Sequence, residues 1–456
     1  MQMRQPATQG DARLVAIHTL LALEKGKPVQ EALDTALRLA SLSQQNTALC
    51  TEMVYGFLRA EIRINWVLQQ VLPAMQHLPR AVQLALGLAV YSLLFLEKIP
   101  HYAVLDWTVG FVRQRFGAQL AGLGNAALRS VLRLLPQAQE QAWYMPQNQT
   151  GGKKARLRAY RHGLALWYSL PDWIVDVWFS AYGEEAALAL LQRSCARPWS
   201  ALRVNRRHAH AAELLLALQA WASCNAQDCQ PCTQAGFAFA SGTAPQELCG
   251  KSLAQWHEAG AIRWQAAGSQ AVLEALGCHT WQDAVWDACA GQGGKSLFLL
   301  ENSVPVRLAS DVHAGRLRRV ARECARLSLP TPALCLANMG QAPVAQWQGN
   351  ILLDVPCTGL GTIARRPDIK RHRSFAMLKE LCAVQAQLLD EAWRVLLPQY
   401  ELAYITCALD PQENEEQITA FCQRHADAEL CCTWQTPHTH PWLEGMYGAR
   451  LVKKAQ

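Results

Sequence analysis

No stretch of this 456-residue chain is apolar for long enough to cross a bilayer. The longest such run, near Val82–Leu96, is broken by Gly87 and Ser92 and falls short of the roughly 20 residues a spanning helix needs. No membrane partner is therefore expected. The opening Met1-Gln2-Met3-Arg4-Gln5-Pro6 lacks the apolar core of a secretory signal. With no such signal, the 16 cysteines are expected as reduced thiols in the cytoplasm. Zinc-finger spacing is missing too: Cys229-Gln230-Pro231-Cys232, with Cys224 nearby, has no second Cys/His pair to match it. That argues for an incidental loop and no metal. There is no phosphate-cradling P-loop spacing and no convincing internal repeat. Charged residues make up only 17% against 51% hydrophobic, which excludes a disordered chain and fits domains with sizeable cores.

The charge that is present is uneven. Residues 1–170 carry a net +9 and the remainder −2. Lys153, Lys154, Arg156, Arg158 and Arg161 fall within nine residues with no acid between them. Such a run neutralises phosphates, although a solvated linker accounts for it equally well.

Apolar spacing over residues 10–137 is helical: Ala12–Leu21, Ala48–Arg59, Ile64–Leu72 and Ala81–Leu96 all show it. Gly26-Lys27-Pro28 and Ile99-Pro100-His101 are expected breaks. This predicts an all-α bundle over 1–142. A polar, irregular linker is expected over 143–165, with Pro146, Asn148, Gly151 and Gly152 and the basic cluster at its far end. Residues 166–255 mix helical pattern with the short strand-like run Leu202-Arg203-Val204-Asn205 and read as a small α/β subdomain; 222–250 resists assignment. From about 283 the pattern becomes strand, turn, helix. Strands are expected at Ala284–Asp287, Val306–Asp311, Ala333–Ala337, Asn350–Asp354 and Glu401–Thr406. Helices are expected at Lys295–Glu301, Ala314–Leu327, Phe375–Leu396 and Pro411–Arg424. Alternation of this kind predicts a Rossmann-like parallel sheet covered on both faces over 256–456, giving a multidomain α plus α/β chain. Ligands in such sheets bind beyond the carboxyl ends of the strands. Asp287, Asp311, Asp354 and Thr406-Cys407 all fall there.

Four features occupy those ends. Cys289-Ala290-Gly291-Gln292-Gly293-Gly294-Lys295 is a glycine-rich turn between a strand and a helix, suited to close backbone approach by a ligand. Asp311 ends the next strand, where nucleotide-binding sheets place an acid on ribose hydroxyls; capping the following helix is the alternative. Leu353-Asp354-Val355-Pro356-Cys357-Thr358-Gly359 and Tyr404-Ile405-Thr406-Cys407 each place a thiol after a buried strand. Most of the other cysteines read as small buried hydrophobes. Arg365, Arg366, Lys370, Arg371 and Arg373 form a second basic stretch that could grip phosphates.

Taken in this order, these motifs resemble those of the RNA 5-methylcytosine methyltransferases. Arg365-Arg366-Pro367-Asp368-Ile369-Lys370 and Gly445-Met446-Tyr447-Gly448-Ala449-Arg450-Leu451 extend the match. The helical part, with Gly124–Arg133, is similar to the NusB-like RNA-binding domain. A monomer is expected. The resemblance implies S-adenosyl-L-methionine as cofactor and methyl transfer to cytosine C5 in RNA, small-subunit rRNA above all. It implies Cys407 as nucleophile at C6, Cys357 as the thiol assisting release, and Asp354 on the cytosine N3/N4 edge. Cofactor contacts fall on 289–295, Asp311, Asn338 and Asp354; RNA contacts fall on Lys153, Lys154, Arg156, Arg158, Arg365, Arg366 and Lys370. A non-catalytic RNA-binding factor and the same chemistry on tRNA stay open. The chain departs from the family pattern at Gln292 (usually proline), at Asn338 (usually an acid), at Gln265–Gln270 (which lacks its acid) and at Ala408 (usually serine).

Overall fold

The structure, a computed structural model, describes residues 10–146, 152–438, 440 and 442–455. The opening Met1–Pro6 and the linker residues Asn148 and Gly151 lie outside them. The chain forms two compact units. One comprises residues up to Phe179 together with Arg366–His372; the other holds Ser180–Arg365 and Arg373 onward.

The first unit is helical: α1 (Ala12–Leu23), α2 (Val29–Leu39), α3 (Gln44–Val71), α4 (Arg80–Phe95), α5 (His101–Phe116), α6 (Ala118–Ala138), α7 (Lys153–Trp167) and the start of α8 (Asp172–Cys195). Apolar stripes of α1 to α6 close one core that includes Ile17, Leu20, Phe57, Leu86 and Leu128. Asp11 caps α1, accepting from the Arg13 N–H at 2.9 Å. The expected breaks at residues 26–28 and 99–101 separate α1 from α2 and α4 from α5. Between Arg59 and Ile64 no break occurs, and α3 runs through. The apolar pattern lapses there because Arg63 takes an inward position: it is buried, donates to the Ala138 carbonyl at 2.7 Å and lies over the Trp167 ring at 3.7 Å. A second difference lies at 153–167. Instead of irregular linker, α7 forms, with Lys153, Lys154, Arg156 and Arg158 all exposed on it.

In the second unit, α8 is interrupted at Gly183, where φ is +76°. There follow β1 (Ser200–Val204), α9 (Ala211–Cys224), β2 (Cys229–Thr233), β3 (Gly236–Phe239), the hairpin β4 (Glu247–Leu248) and β5 (Lys251–Ser252), α10 (Leu253–Glu258) and β6 (Ile262–Trp264). The antiparallel sheet β2-β3-β1-β6 packs Leu202, Phe237, Phe239 and Ile262 against α9 and α10. Thus the segment 222–250 that resisted assignment supplies two of its strands. Cys229 and Cys232 sit on β2, and Cys229 is core.

The remaining elements are α11 (Ala267–Ala275), β7 (Val285–Asp287), α12 (Gly294–Glu301), β8 (Val306–Asp311), α13 (Ala314–Arg326), β9 (Ala333–Leu336), β10 (Asn350–Asp354), the short α14 (Ile369–His372, part of the helical unit), α15 (Phe375–Val395), β11 (Glu401–Thr406), α16 (Glu415–Arg424), β12 (Ala428–Gln435) and β13 (Tyr447–Lys453). Seven strands order as β12-β13-β11-β10-β7-β8-β9. The five expected strands are parallel, whereas β13 runs antiparallel to β11 and to β12, so the sheet is mixed. Alternate residues of each central strand serve opposite faces. Val285, Leu352, Ala403 and Ile405 meet α11, α12 and α13; Trp286, Ile351, Leu353, Leu402 and Tyr404 meet α15 and α16. Burial on both faces explains why these strands read as unbroken apolar runs.

Candidate active site

Strands β11, β10, β7 and β8 are neighbours in the sheet, so Cys407, Asp354, Asp287 and Asp311 stand in a row along one edge. Adjacent strands are spaced about 4.8 Å apart, which sets the scale of the cleft.

At the β7 and β8 end, the glycine turn is pinned by backbone and carboxylate. The Ala290 N–H donates to the Ser310 carbonyl at 2.9 Å and the Gly293 N–H to the Ala290 carbonyl at 2.8 Å. Asp311 Oδ2 accepts from the Gly291 N–H at 3.0 Å, and its Oδ1 accepts from the His313 N–H at 2.8 Å. Asp311 therefore braces the turn and the approach to α13, and its carboxylate retains lone pairs for hydroxyl donors. Gly293 opens α12 at φ +79°, and a Cβ there would press on Val320 at 3.0 Å; a Cβ on Gly291, at φ +55°, would meet nothing within 4 Å. The backbone at Gly291 thus presents an open face. Gln292, where the family has proline, is exposed, so it leaves these bonds intact. Cys289 is half-buried, and its thiol is pushed up in pKa by burial and then by the Asp287 charge. Asn338 is exposed beyond β9, its amide oxygen accepting from the Gly340 N–H at 3.0 Å.

Asp287 is buried beneath the turn. Its Oδ2 accepts from the Ser296 hydroxyl, and its Oδ1 is buried without a hydrogen-bond partner. Burial, chiefly, raises its pKa to about 7. Lys295 reaches from α12 across to Asp354 Oδ2 at 2.5 Å. The pair neutralises the lysine and leaves the Asp354 side chain 33% exposed, available to a ligand.

The thiols meet at the β10 and β11 end. Cys357 Sγ and Cys407 Sγ are 3.2 Å apart, and the Cys407 N–H donates to Cys357 Sγ at 3.3 Å. The hydrogen bond with Cys407 and burial raise the Cys357 pKa well above the usual thiol value, and the charges of Cys407 and Glu413 push the same way. Cys407 itself is half-buried. The loops carrying the thiols are fixed by a close glycine contact. Gly361 donates to the Cys407 carbonyl at 2.9 Å, and Gly445 donates to the Gly361 carbonyl at 2.9 Å. A Cβ on Gly361 would fall 2.0 Å from the Gly445 carbonyl oxygen.

Beneath Cys357 lies a buried polar cluster that sequence reasoning did not single out. Glu413, with no exposed surface, accepts from the Thr358 N–H at 2.8 Å, from the Thr358 hydroxyl, and from Gln385 Nε2 at 2.8 Å. Its backbone N–H donates to Asp410 Oδ1 at 3.0 Å, and its carbonyl accepts from the Tyr404 hydroxyl at 2.7 Å. Burial first, then Glu413, raises the Asp410 pKa to about 9. The one signal in the sequence was the density of acids at Asp410, Glu413, Glu415 and Glu416, which does not say which of them turn inward.

The second basic stretch divides. Arg365 belongs to the second unit and pairs with Glu444, also donating to the Trp199 carbonyl at 2.5 Å. Residues 366–372 belong to the helical unit, where Arg366 is exposed. Lys370, expected on phosphate, is instead buried, donating from Nζ to the Arg59 carbonyl at 2.8 Å and the Ser169 carbonyl at 2.6 Å. A buried ammonium is held only where acceptors meet it, and these two carbonyls supply them inside the fold. Arg371 pairs with Glu61, and Arg373 donates to the Thr358 carbonyl at 3.2 Å and the Cys357 carbonyl at 3.4 Å. Among the described residues no three His, Cys, Asp or Glu side chains group as a metal set, and no helix is long and apolar enough to cross a membrane.

The mixed sheet, with a glycine turn after its first strand and an acid after its second, has the order of a Rossmann-like S-adenosylmethionine-dependent methyltransferase, in a chain that also carries a NusB-like helical domain and a ferredoxin-like domain. Profiles agree: one described as 16S rRNA methyltransferase RsmB/F matches residues 277–446, the NusB family matches 10–133, and an RsmF/B-like ferredoxin-like domain matches 170–236. The chain is 31% identical to ribosomal RNA small subunit methyltransferase B of Erwinia tasmaniensis, over 97% of this chain and 98% of that one. It is also 31% identical to the protein of that name from Escherichia coli O6:K15:H31, over 91% and 92%. It belongs to the 16S rRNA methyltransferase RsmB/F family. Among solved structures, that of PH0851 shares the fold over 99% of this chain and all of its own, with a TM-score of 0.73 at 20% identity. A methyltransferase homologue from Pyrococcus horikoshii covers 64% of this chain and 97% of its own, with a TM-score of 0.52 at 23% identity.

Proposed function

We propose that this chain methylates C5 of a cytosine in small-subunit rRNA through a covalent adduct between Cys407 and C6. The observation that carries this reading is the meeting of Cys357 and Cys407 at 3.2 Å, at the ends of adjacent strands and beside the exposed carboxylate of Asp354. Cytosine C5 is a poor nucleophile. Addition of the Cys407 thiolate at C6 makes C5 enamine-like, splitting one difficult substitution into easier steps. S-adenosylmethionine, when bound, supplies the methyl group as a sulfonium. The open backbone at Gly291 and the acids Asp311 and Asp354 suit its amino acid and ribose portions, with Asn338 toward the adenine.

Asp354 is oriented by Lys295 and receives the N3/N4 edge of the base, supporting protonation at N3 as the adduct forms. After methyl transfer, loss of the C5 proton to a base lets the sulfur leave. Cys357 assists there, because an S–H at this distance from the departing Cys407 sulfur stabilises it as a thiolate. The target base must be single-stranded or unstacked, since a ring carbon inside a duplex is out of reach. Exposed Lys153, Lys154, Arg156 and Arg158 on α7 and Arg366 supply phosphate contacts.

The test is methyl transfer from radiolabelled S-adenosylmethionine to small-subunit rRNA by the purified protein. Wild type is expected to label cytosine, Cys407→Ala to be inactive, and Cys357→Ala to accumulate a protein–RNA adduct on denaturing gels. No transfer by wild type, or equal transfer by Cys407→Ala, would sink the reading.

A further inference from the structure

The two thiols are not equivalent, and the buried cluster below them explains the difference. Cys357 is wrapped by groups from every neighbouring element. Cys407 faces it from the end of β11. Tyr404 on β11 lies close enough for its ionisation to be opposed by Cys357. Glu413 and Asp410 come from the loop after Cys407, and Cys382 on α15 senses both of those acids. Arg373 turns its guanidinium to the Cys357 and Thr358 carbonyls. Thr358 ties the turn holding Cys357 to the carboxylate beneath it with both of its donors, and Gln385 bridges the same turn and carboxylate.

We propose that Glu413 is a positioning residue for Cys357: it grips the Pro356-Cys357-Thr358 turn through Thr358 and sets a buried negative charge beside that thiol, so that Cys357 stays the neutral partner and Cys407 is the sulfur that attacks. The proposal rests on the covalent mechanism above for its role in release, but not for its effect on the thiols of the free protein.

A fully buried carboxylate persists only when its lone pairs are filled. Glu413 has the Thr358 N–H, the Thr358 hydroxyl and the Gln385 amide. Asp410, its buried neighbour, is pushed toward its neutral form by burial and then by Glu413, so the single charge of the pair rests where the donors are. That charge opposes a second anion on Cys357, in the same direction as the Cys357–Cys407 hydrogen bond and burial. The thiolate is the reactive species, so a proton held on Cys357 leaves Cys407 as nucleophile. The same S–H then stands ready to receive the departing sulfur. Gln385 extends the grip to the other side of the turn, donating to the Pro356 carbonyl at 3.0 Å.

The experiment uses the full chain and reads two quantities: the pH dependence of iodoacetamide alkylation at Cys357 and at Cys407 by mass spectrometry, and the lifetime of the protein–rRNA adduct in single turnover. For Glu413→Gln, the Cys357 alkylation curve is expected to move down by about one pH unit or more, and the adduct to persist about 10- to 100-fold longer as the turn loosens. Thr358→Val, which keeps the charge and loses the hydroxyl grip, is expected to prolong the adduct without moving the curve; Thr358→Ser is expected to restore wild-type release. An unchanged Cys357 curve and an unchanged adduct lifetime in Glu413→Gln overturn the proposal. Should Glu413→Gln fail to fold, equal behaviour of Thr358→Val and Thr358→Ser overturns it. A wild-type protein that forms no adduct sinks the covalent mechanism instead, and the alkylation curves still decide whether Glu413 sets the thiols apart.

Discussion

Arg203→Met is the substitution whose consequence follows most directly from geometry. Arg203 on β1 and Glu301 on α12 are each only 2% exposed and form a two-pronged pair, with Nη2 to Oε1 at 3.1 Å. The guanidinium also lies 5.5 Å from the Phe298 ring centroid. Removing it strands a carboxylate in the interior, which costs about 3–5 kcal/mol when one partner of a buried pair is lost. Arg263 moderates the loss. It pairs with Glu323 at 3.3 Å and is close enough to Glu301 to be stabilised by its charge, so the lower end, about 3 kcal/mol, is expected. Glu301→Leu leaves two guanidiniums facing each other and is expected to cost more, about 5 kcal/mol. The double variant Arg203→Met/Glu301→Leu replaces the pair with apolar groups and is expected to recover most of the loss. Equilibrium urea unfolding of the four proteins measures this. Methyl-donor binding by calorimetry is expected to weaken in the single variants, because Arg203 reaches the Gly294 carbonyl at 3.5 Å and Arg263 the Gly293 carbonyl at 3.4 Å. A single variant within about 1 kcal/mol of wild type, or additive losses in the double variant, would contradict this account of the pair.

Gly361→Ala places a methyl 2.0 Å from the Gly445 carbonyl and is expected to destabilise by about 1–3 kcal/mol while slowing methyl transfer, read by unfolding and by radiolabel incorporation. Asp410 ionises near 3.8 when unfolded and at about 9 when folded. Between those values the unfolded state binds fewer protons, so stability falls as pH rises from about 4 to about 9; Asp410→Asn is expected to flatten that slope in urea midpoints taken across the range. Replacing Lys153, Lys154, Arg156 and Arg158 together by Gln is expected to weaken RNA binding and lower the slope of log affinity against log salt by about 3, whereas Lys370→Met is expected to lower stability and leave that slope unchanged.

Much of the methyltransferase sheet was legible because burial on both faces forces continuous apolar runs. Val306–Asp311, Asn350–Asp354 and Glu401–Thr406 fall where their composition places them. Local chemistry also marked the ends of those strands, since packing alone seldom calls for a glycine turn, an acid or a thiol directly after an apolar run. Less legible was any residue that behaves against its type. Arg63 turns inward and hides the continuity of α3; Lys370 does the same and is withdrawn from RNA. Strand β12 is an exposed, largely polar edge, and β13, though buried between β12 and β11, opens with Tyr447-Gly448-Ala449-Arg450, so no long apolar run announced either; their antiparallel pairing makes the sheet mixed.

The order of residues along the chain already names the atoms available for chemistry: two thiols, a glycine turn and a row of carboxylates, each following a short apolar run. It does not say how those atoms act on one another. Cys357 and Cys407 are fifty positions apart in the chain, and only the parallel pairing of β10 with β11 brings their sulfurs to 3.2 Å. Glu413 is one of four nearby acids until the fold buries it against Thr358. Interaction between charges depends on distance and on the exclusion of water, and both are properties of the folded state. That is why the candidate groups could be named from the chain, while the difference in surroundings between the two thiols belongs to the tertiary structure.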